Sequence, residues 1–102
     1  MEPDTELYVQ AQHAIAELKS AVLGVVVSAG KSGLKNAQIG RALGIYAGHV
    51  KHEGHISRTV LAMLESEGLL RQDPTTKKWF AKSLEEMDKR AIGDETAPDE
   101  LD

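Results

Sequence analysis

The sequence contains no cysteine. This absence excludes disulfide bonds and thiolate metal sites, and it fits a protein of a reducing compartment. Aromatic residues are scarce as well, with one tryptophan, two tyrosines and one phenylalanine in 102 residues. Because 41% of the residues are nonetheless hydrophobic, the core must consist mainly of leucine, isoleucine, valine and alanine. At this length the chain can form one compact domain and not two.

Long apolar runs and a recognisable targeting segment are also lacking. The longest nearly apolar run covers residues 21–30, contains Ser28, and is too short to span a bilayer. The first residues are acidic, whereas a secretory signal begins with basic residues. We therefore expect a soluble, cytoplasmic protein that does not associate with a membrane.

Positive charge is missing from both ends of the chain. Residues 1–6 carry three acidic side chains and residues 93–102 carry five, with no lysine or arginine in either segment. All twelve basic residues and the other eight acidic ones lie in residues 7–92, which therefore carry +4 although the whole chain carries −4. A locally basic body can approach a phosphate backbone, because the local field governs the encounter. The alternative is that the acidic ends serve only to keep the protein soluble.

The spacing of apolar residues predicts three helices. Their expected bounds are about residues 5–28, 36–43 and 56–67. Thr5 and Asn36 are the expected N-caps of the first two helices, because short polar side chains accept hydrogen bonds from first-turn N–H groups. Gly24 lies in a β-branched stretch and is a point where the first helix could divide. Gly68 is expected to end the third helix in a left-handed conformation.

A β-hairpin is predicted after the third helix. Its two strands are expected at residues 70–72 and 77–81. Asp73 and Pro74 suit the turn between them, since proline fixes φ and aspartate hydrogen-bonds the nearby backbone. Trp79 and Phe80 are adjacent and therefore point to opposite faces of their strand. We expect one of these rings to pack on the first and third helices.

The C-terminal part of the chain is predicted to hold one more helix and an unstructured tail. The helix is expected over residues 83–91, where Ser83 and Glu86 resemble a capping box. From residue 93 onward the composition is acidic and nearly free of apolar residues, which is typical of disorder. The expected organisation is a flexible N-terminus at residues 1–4, one domain at residues 5–92 and a disordered acidic tail at residues 93–102.

Two stretches of the chain resemble winged helix-turn-helix proteins. Residues 54–71 are similar to the recognition helix and first wing strand of that family. Within them, Leu64-Glu65-Ser66-Glu67-Gly68-Leu69-Leu70 resembles an ending common in MarR-like and ArsR-like regulators. Residues 35–45 resemble the helix that precedes the recognition helix. The resemblance implies a mostly α fold with a small β-hairpin: a three-helix core, a wing and an extra C-terminal helix.

The chain departs from this family in the connection between its second and third helices. Such regulators usually have three or four residues there, whereas about ten residues separate the two predicted helices of this chain. A similarly enlarged turn is associated with winged-helix segments attached to restriction-type nucleases.

The resemblance implies sequence-specific binding of double-stranded DNA by a transcriptional regulator. The third helix would enter the major groove and read base edges, while the wing would contact the backbone. The expected DNA-binding residues are His55, Ser57, Arg58 and Thr59 on the third helix, Lys77 and Lys78 on the hairpin, and Lys35, Gln38 and Arg41 on the second helix. The alternative is structural: Ser57 caps its helix, Arg58 is solvated, and the hairpin lysines protect a sheet edge from aggregation.

A single small domain would bury little DNA surface, so we expect a homodimer on an inverted repeat. The first helix and the predicted C-terminal helix are the expected dimer surfaces. The main alternative is a winged-helix subunit that binds other proteins in a nucleic-acid-processing or restriction-type assembly, since a fold does not determine a function.

Metal binding and catalysis are weaker interpretations of this sequence. His49, His52 and His55 recur every third residue around Glu53, a donor set that suits zinc or nickel. Flanking glycines indicate a loop, in which this spacing does not bring the side chains together, so we expect no metal and no cofactor. A metal- or ligand-responsive switch remains a third hypothesis. No catalytic constellation is evident, and we do not expect an enzyme.

Overall fold

A computed structural model describes residues 4–46 and 53–83 of the chain. This part of the protein consists of three α-helices and a two-stranded antiparallel sheet. The elements are α1 (Thr5–Ala29), α2 (Asn36–Leu43), α3 (His55–Ser66), β1 (Leu70–Gln72) and β2 (Trp79–Ala81), with a short 3-10 turn at Gly30–Ser32. The prediction of a mostly α protein with a small β-hairpin is confirmed.

Helix α1 is continuous through Gly24 and does not divide. Its N-cap is Asp4, whose Oδ1 accepts a hydrogen bond from the Leu7 N–H at 3.2 Å. The prediction of Thr5 as N-cap is therefore wrong by one residue. Asp4 and Thr5 both carry a short acceptor, but Asp4 has the extended backbone that an N-cap requires, whereas Thr5 is already helical.

The two halves of α1 have different surroundings. Residues 4–17 are exposed, whereas Val22 and Val26 in the second half are fully buried against the rest of the protein. By length and composition alone, the helical segment Thr5–Ser32 could cross a membrane. Core helices of water-soluble proteins and signal sequences near an N-terminus meet the same criteria, and in this helix Val22 and Val26 pack in the core.

A glycine in the left-handed conformation terminates each of the two later helices: Gly44, with φ 72°, is the C-cap of α2, and Gly68, with φ 82°, follows the C-cap of α3. At the end of α3 the Leu69 N–H donates to the Leu64 carbonyl at 3.0 Å. This is the hydrogen bond of a Schellman motif, and it directs the chain back toward the core. The predicted role of Gly68 is confirmed.

The sheet has the predicted hairpin form, with Gln72 paired to Trp79 and Leu70 to Ala81. Trp79 is only 5% exposed and belongs to the core, while Phe80 points to the opposite face and is half-buried. Leu34, before α2, forms a bridge to Trp79, with its N–H donating to the Trp79 carbonyl at 3.1 Å. The chain therefore meets the sheet just before α2, at Leu34, and enters the sheet again after α3, at β1.

The core lies where the second half of α1, α2, α3 and the sheet meet. Its buried hydrophobic residues are Val22, Val26, Ile39, Val60, Leu61, Leu64, Leu70 and Trp79. As expected from the composition, all but one of these are aliphatic. Some predictions lie outside the described residues: the flexible first residues, His49 and His52, the C-terminal helix after Ser83 and the acidic tail.

Two helical glycines should respond in opposite ways to replacement by alanine. A Cβ at Gly24 would meet no atom within 4 Å, whereas one at Gly40 would lie 3.0 Å from Ser57 Oγ and from Tyr46 Cβ. Gly24→Ala should raise the free energy of unfolding by up to about 1 kcal/mol through helix propensity. Gly40→Ala should lower it by about 1 to 3 kcal/mol through overpacking.

Urea-induced unfolding of the two variants beside the parent chain tests this difference. Equal stability of the two variants would show that α2 and α3 are not in close contact at Gly40.

Candidate nucleic-acid interface

Helix α3 presents one buried and one exposed face. Its buried residues, Ser57, Val60, Leu61 and Leu64, recur at three- and four-residue intervals. His55, Arg58 and Thr59 lie on the exposed side of the helix, near its amino end. The structure therefore brings three of the predicted contact residues together on a solvent-facing surface.

Ser57 has a different environment from its predicted neighbours in the interface. It is fully buried, and its Oγ donates a hydrogen bond to Asn36 Oδ1 at 2.7 Å. A side chain in this position cannot contact a ligand at the surface while the fold is intact. Ser57 instead joins α3 to the first residue of α2, and we leave it out of the surface proposed to contact DNA.

Asn36 likewise differs from its expected role as a helix cap. Its side-chain amide donates to the Gly54 carbonyl at 3.3 Å while its oxygen accepts from Ser57. Lys35 is the N-cap residue of α2, and its N–H donates to Gln38 Oε1 at 2.8 Å. The sequence marked Asn36 as polar and helix-initiating, but its partners lie 18 and 21 residues away.

Gly54, the N-cap of α3, packs against Asn36 of α2 and against Tyr46. Its φ of 88° is in the left-handed region, and a Cβ there would lie 2.6 Å from Asn36 Nδ2 and 2.9 Å from Tyr46 Cε1. Only glycine can adopt this positive φ and also leave the space of a Cβ free for its neighbours without strain. Gly54 therefore fixes where α3 begins, one residue before the predicted start.

Arg41 on α2 stacks on the ring of Tyr46. The guanidinium carbon lies 4.7 Å from the ring centroid, a distance at which cation–π attraction contributes about 0.5–1 kcal/mol at an exposed site. Arg41 itself is exposed, and the Tyr46 ring is half-buried. The sequence identified Arg41 as a candidate contact but gave no role to Tyr46.

The other two candidates on α2 lie near its start. Lys35 is exposed, so its ammonium group is accessible to an anion. Gln38 is also exposed, but its carbonyl oxygen is engaged in capping α2. Both are compatible with contacts to a backbone, and Gln38 has a structural role as well.

The hairpin tip carries the two predicted lysines. Lys77 is exposed and has φ 67°, an uncommon conformation for a residue other than glycine. Its N–H donates to the Asp73 carbonyl at 2.8 Å, and its carbonyl accepts from Gln72 Nε2 at 3.0 Å. The turn thus holds Lys77 in place through its backbone, while Lys78 beside it is half-buried.

Asp73 organises this turn as predicted from its residue type. Its carboxylate accepts hydrogen bonds from the Thr76 hydroxyl at 2.7 Å and the Thr75 N–H at 3.2 Å. These bonds, that of Thr76 first, lower the pKa of Asp73 below its ordinary value of 3.8. Its contribution to stability is therefore complete above that ordinary value and is lost as the pH falls through the lowered folded-state pKa.

A second stacked arginine lies on the outer face of the sheet. Arg71 lies over the Phe80 ring with 4.7 Å between the guanidinium carbon and the centroid. Phe80, Lys31 and Val27 line a groove there, on the side of the sheet that faces away from Trp79 and the core. Both residues of this stack belong to the sheet, and neither belongs to α2 or α3.

No group of three histidine, aspartate or glutamate side chains within residues 4–46 and 53–83 is arranged to hold a metal ion. His55 is exposed at the start of α3, while His49 and His52 lie outside these ranges. The metal-responsive hypothesis therefore stays a prediction from the sequence.

Comparisons with protein-family models, with curated proteins and with solved structures found no match for this chain. The resemblance to winged helix-turn-helix proteins accordingly enters the functional argument as a proposal.

Replacement of the buried Ser57 by alanine should destabilise the fold more than the same replacement of an exposed serine on α3. Ser57→Ala leaves Asn36 Oδ1 without its buried donor and should lower the free energy of unfolding by about 1–3 kcal/mol. Ser66→Ala, at the exposed end of α3, should change it by less than about 0.5 kcal/mol.

Thermal and urea unfolding of both variants measure the contrast. If Ser57→Ala is as stable as Ser66→Ala, the buried hydroxyl does not hold α2 and α3 together.

Proposed function

We propose that this protein is a winged helix-turn-helix protein that binds double-stranded DNA in a sequence-specific manner and regulates transcription. The observation that carries the proposal is the exposed amino-terminal face of α3, which bears Arg58, His55 and Thr59 on a helix whose opposite face is buried. A helix of this kind, supported by a second helix and followed by a basic hairpin, suits insertion into the major groove.

Recognition of bases is assigned to the side chains at the amino end of α3. The planar guanidinium of Arg58 can donate two parallel hydrogen bonds to O6 and N7 of a guanine. His55 and Thr59 can hydrogen-bond a base edge or a neighbouring phosphate. These three residues would set the sequence preference.

Contacts with the DNA backbone are assigned to basic residues of the hairpin and of the α2 region. Phosphates can be neutralised by Lys77 and Lys78 on the hairpin, by Lys35 at the N-cap of α2 and by Arg41 on α2. Such contacts position the protein on the duplex and supply most of the salt dependence, but they do not select a sequence.

The distribution of charge along α3 favours the orientation proposed for this helix. Glu65 lies near the carboxyl end of α3, and Glu67 is the C-cap of this helix. Glu67 forms an ion pair with Lys19 of α1. A carboxylate at the carboxyl end would be repelled by phosphates, whereas the amino end carries Arg58. We therefore place the amino end deepest in the groove.

The binding unit in this proposal is a homodimer. The first half of α1 exposes apolar side chains that the described part of the chain does not cover: Leu7 and Tyr8 are 60% and 63% exposed. Pairing of this half with a second copy would remove apolar surface from water. It would also present two α3 helices to an inverted repeat.

The exposed half of α1 equally favours a second candidate function, that of a protein-binding subunit in a nucleic-acid-processing or restriction-type assembly. Exposed apolar side chains are used for binding other proteins as well as for self-association. The two functions differ in whether the isolated protein has affinity for duplex DNA at low salt.

The test begins with selection of bound duplexes from a random DNA pool, followed by affinity measurements on Arg58→Ala and on the double change of Lys77 and Lys78 to alanine. Arg58→Ala should reduce discrimination between the selected site and its single-base variants by about 1–3 kcal/mol. The lysine changes should weaken binding to all sequences and reduce the salt slope by about two.

The matched control is Lys31→Ala, which removes an exposed lysine on the outer side of the sheet and should leave binding unchanged. Absence of any affinity for duplex DNA at low salt would reject the proposed function and favour the protein-binding alternative. Unchanged affinity, discrimination and salt slope in both interface variants would reject the proposed docking.

A further inference from the structure

Tyr46 is held in place by the backbone of both helices that meet at the proposed DNA surface. One edge of its ring lies against α2, where a Cβ on Gly40 would come within 3.0 Å of Tyr46 Cδ1. The same edge lies against the start of α3, where a Cβ on Gly54 would come within 2.9 Å of Tyr46 Cε1. The two glycines thus provide the space that this edge of the ring occupies, and the ring packs against both helices.

The face of this ring carries the guanidinium of Arg41, 4.7 Å from the centroid. Stacking occupies the face of a guanidinium group and leaves the N–H donors around its edge directed outward. Those donors are the ones that pair with two oxygens of a phosphate. Arg41 is exposed, so a phosphate can reach this edge.

If the Arg41 side chain is ordered before binding, its contact with a phosphate should contribute more affinity. A long, flexible basic side chain loses rotamer freedom when it is fixed on a phosphate, and this loss reduces the affinity gained. Arg41 already lies on a ring that packs against two glycines. Within residues 4–46 and 53–83, the cations that lie over aromatic rings are Arg41 and Arg71, whereas Lys35 and Lys77 make no such contact.

The stack is also close to the base-reading end of α3. Tyr46 contacts Gly54, which is the N-cap of α3, and the Arg58 N–H donates to the Gly54 carbonyl at 2.9 Å. A phosphate held by Arg41 would therefore flank the bases that face Arg58. The second stack, Arg71 on Phe80, is formed by two paired residues of the sheet, neither of which belongs to α2 or α3.

We propose that Tyr46 is a positioning residue that presents Arg41 to a phosphate of the DNA backbone beside the amino end of α3. The inference rests on the proposed DNA binding and adds to it a residue that does not itself contact the ligand. It also gives a reason for glycine at two positions that are 14 residues apart.

The experiment measures the dissociation constant for a duplex selected by the parent chain, at several salt concentrations. The variants are Tyr46→Phe, Tyr46→Leu, Arg41→Ala and the combination of the last two. Tyr46→Phe keeps the ring and should bind like the parent. Tyr46→Leu and Arg41→Ala should each weaken binding by about two- to fivefold, and the combined variant should be no weaker than Arg41→Ala alone.

Two further variants separate this role from a general effect on the fold. Arg41→Lys keeps the charge and leaves the ring in place; it should weaken binding by about two- to fivefold without changing the salt slope. Phe80→Leu removes the ring of the other stack and should leave binding unchanged at temperatures where the variant is folded, as checked by circular dichroism.

The outcomes distinguish the inference from the function on which it rests. In a parent chain that binds DNA, additive effects of Tyr46→Leu and Arg41→Ala, or full affinity of Arg41→Lys, would overturn the role of Tyr46 alone. A parent chain without affinity for duplex DNA would overturn the proposed function and this inference with it.

Discussion

The buried hydroxyl of Ser57 is the contact on which the geometry of the proposed interface depends. It donates to Asn36 at the first turn of α2, while Asn36 donates to Gly54 at the start of α3. A polar group buried in this way is costly unless its hydrogen bonds are made, so the network favours one arrangement of the two helices. That arrangement determines the direction in which Arg58 and its neighbours face solvent.

The same junction explains why small and large residues meet between α2 and α3. A Cβ at position 54 would collide with the Tyr46 ring and the Asn36 amide, and a Cβ at position 40 would crowd Tyr46 and Ser57. The ring then provides a platform for Arg41. The close contact between the helices thus accounts both for the packing of Tyr46 and for the position of the Arg41 charge at the surface.

The sequence predicted the features that are set by neighbouring residues. The three helices and the hairpin follow from apolar spacing, Gly68 from the left-handed helix end, and the opposite faces of Trp79 and Phe80 from strand geometry. The roles of Ser57, Asn36 and Tyr46 could not be predicted, because their partners are distant in sequence and serine or asparagine also suits a helix cap. The predicted contact residues Arg58 and Lys77 are exposed, but exposure alone does not assign a ligand.

The most direct test of the central claim is an NMR titration of the isotope-labelled protein with the DNA duplex recovered by selection, which reports which residues meet the DNA. We predict that the largest saturable shift changes occur at His55, Arg58 and Thr59 and at the hairpin tip around Lys77. Shift changes confined to the exposed half of α1, around Leu7 and Tyr8, or the absence of any saturable change, would contradict the claim that the amino end of α3 binds DNA.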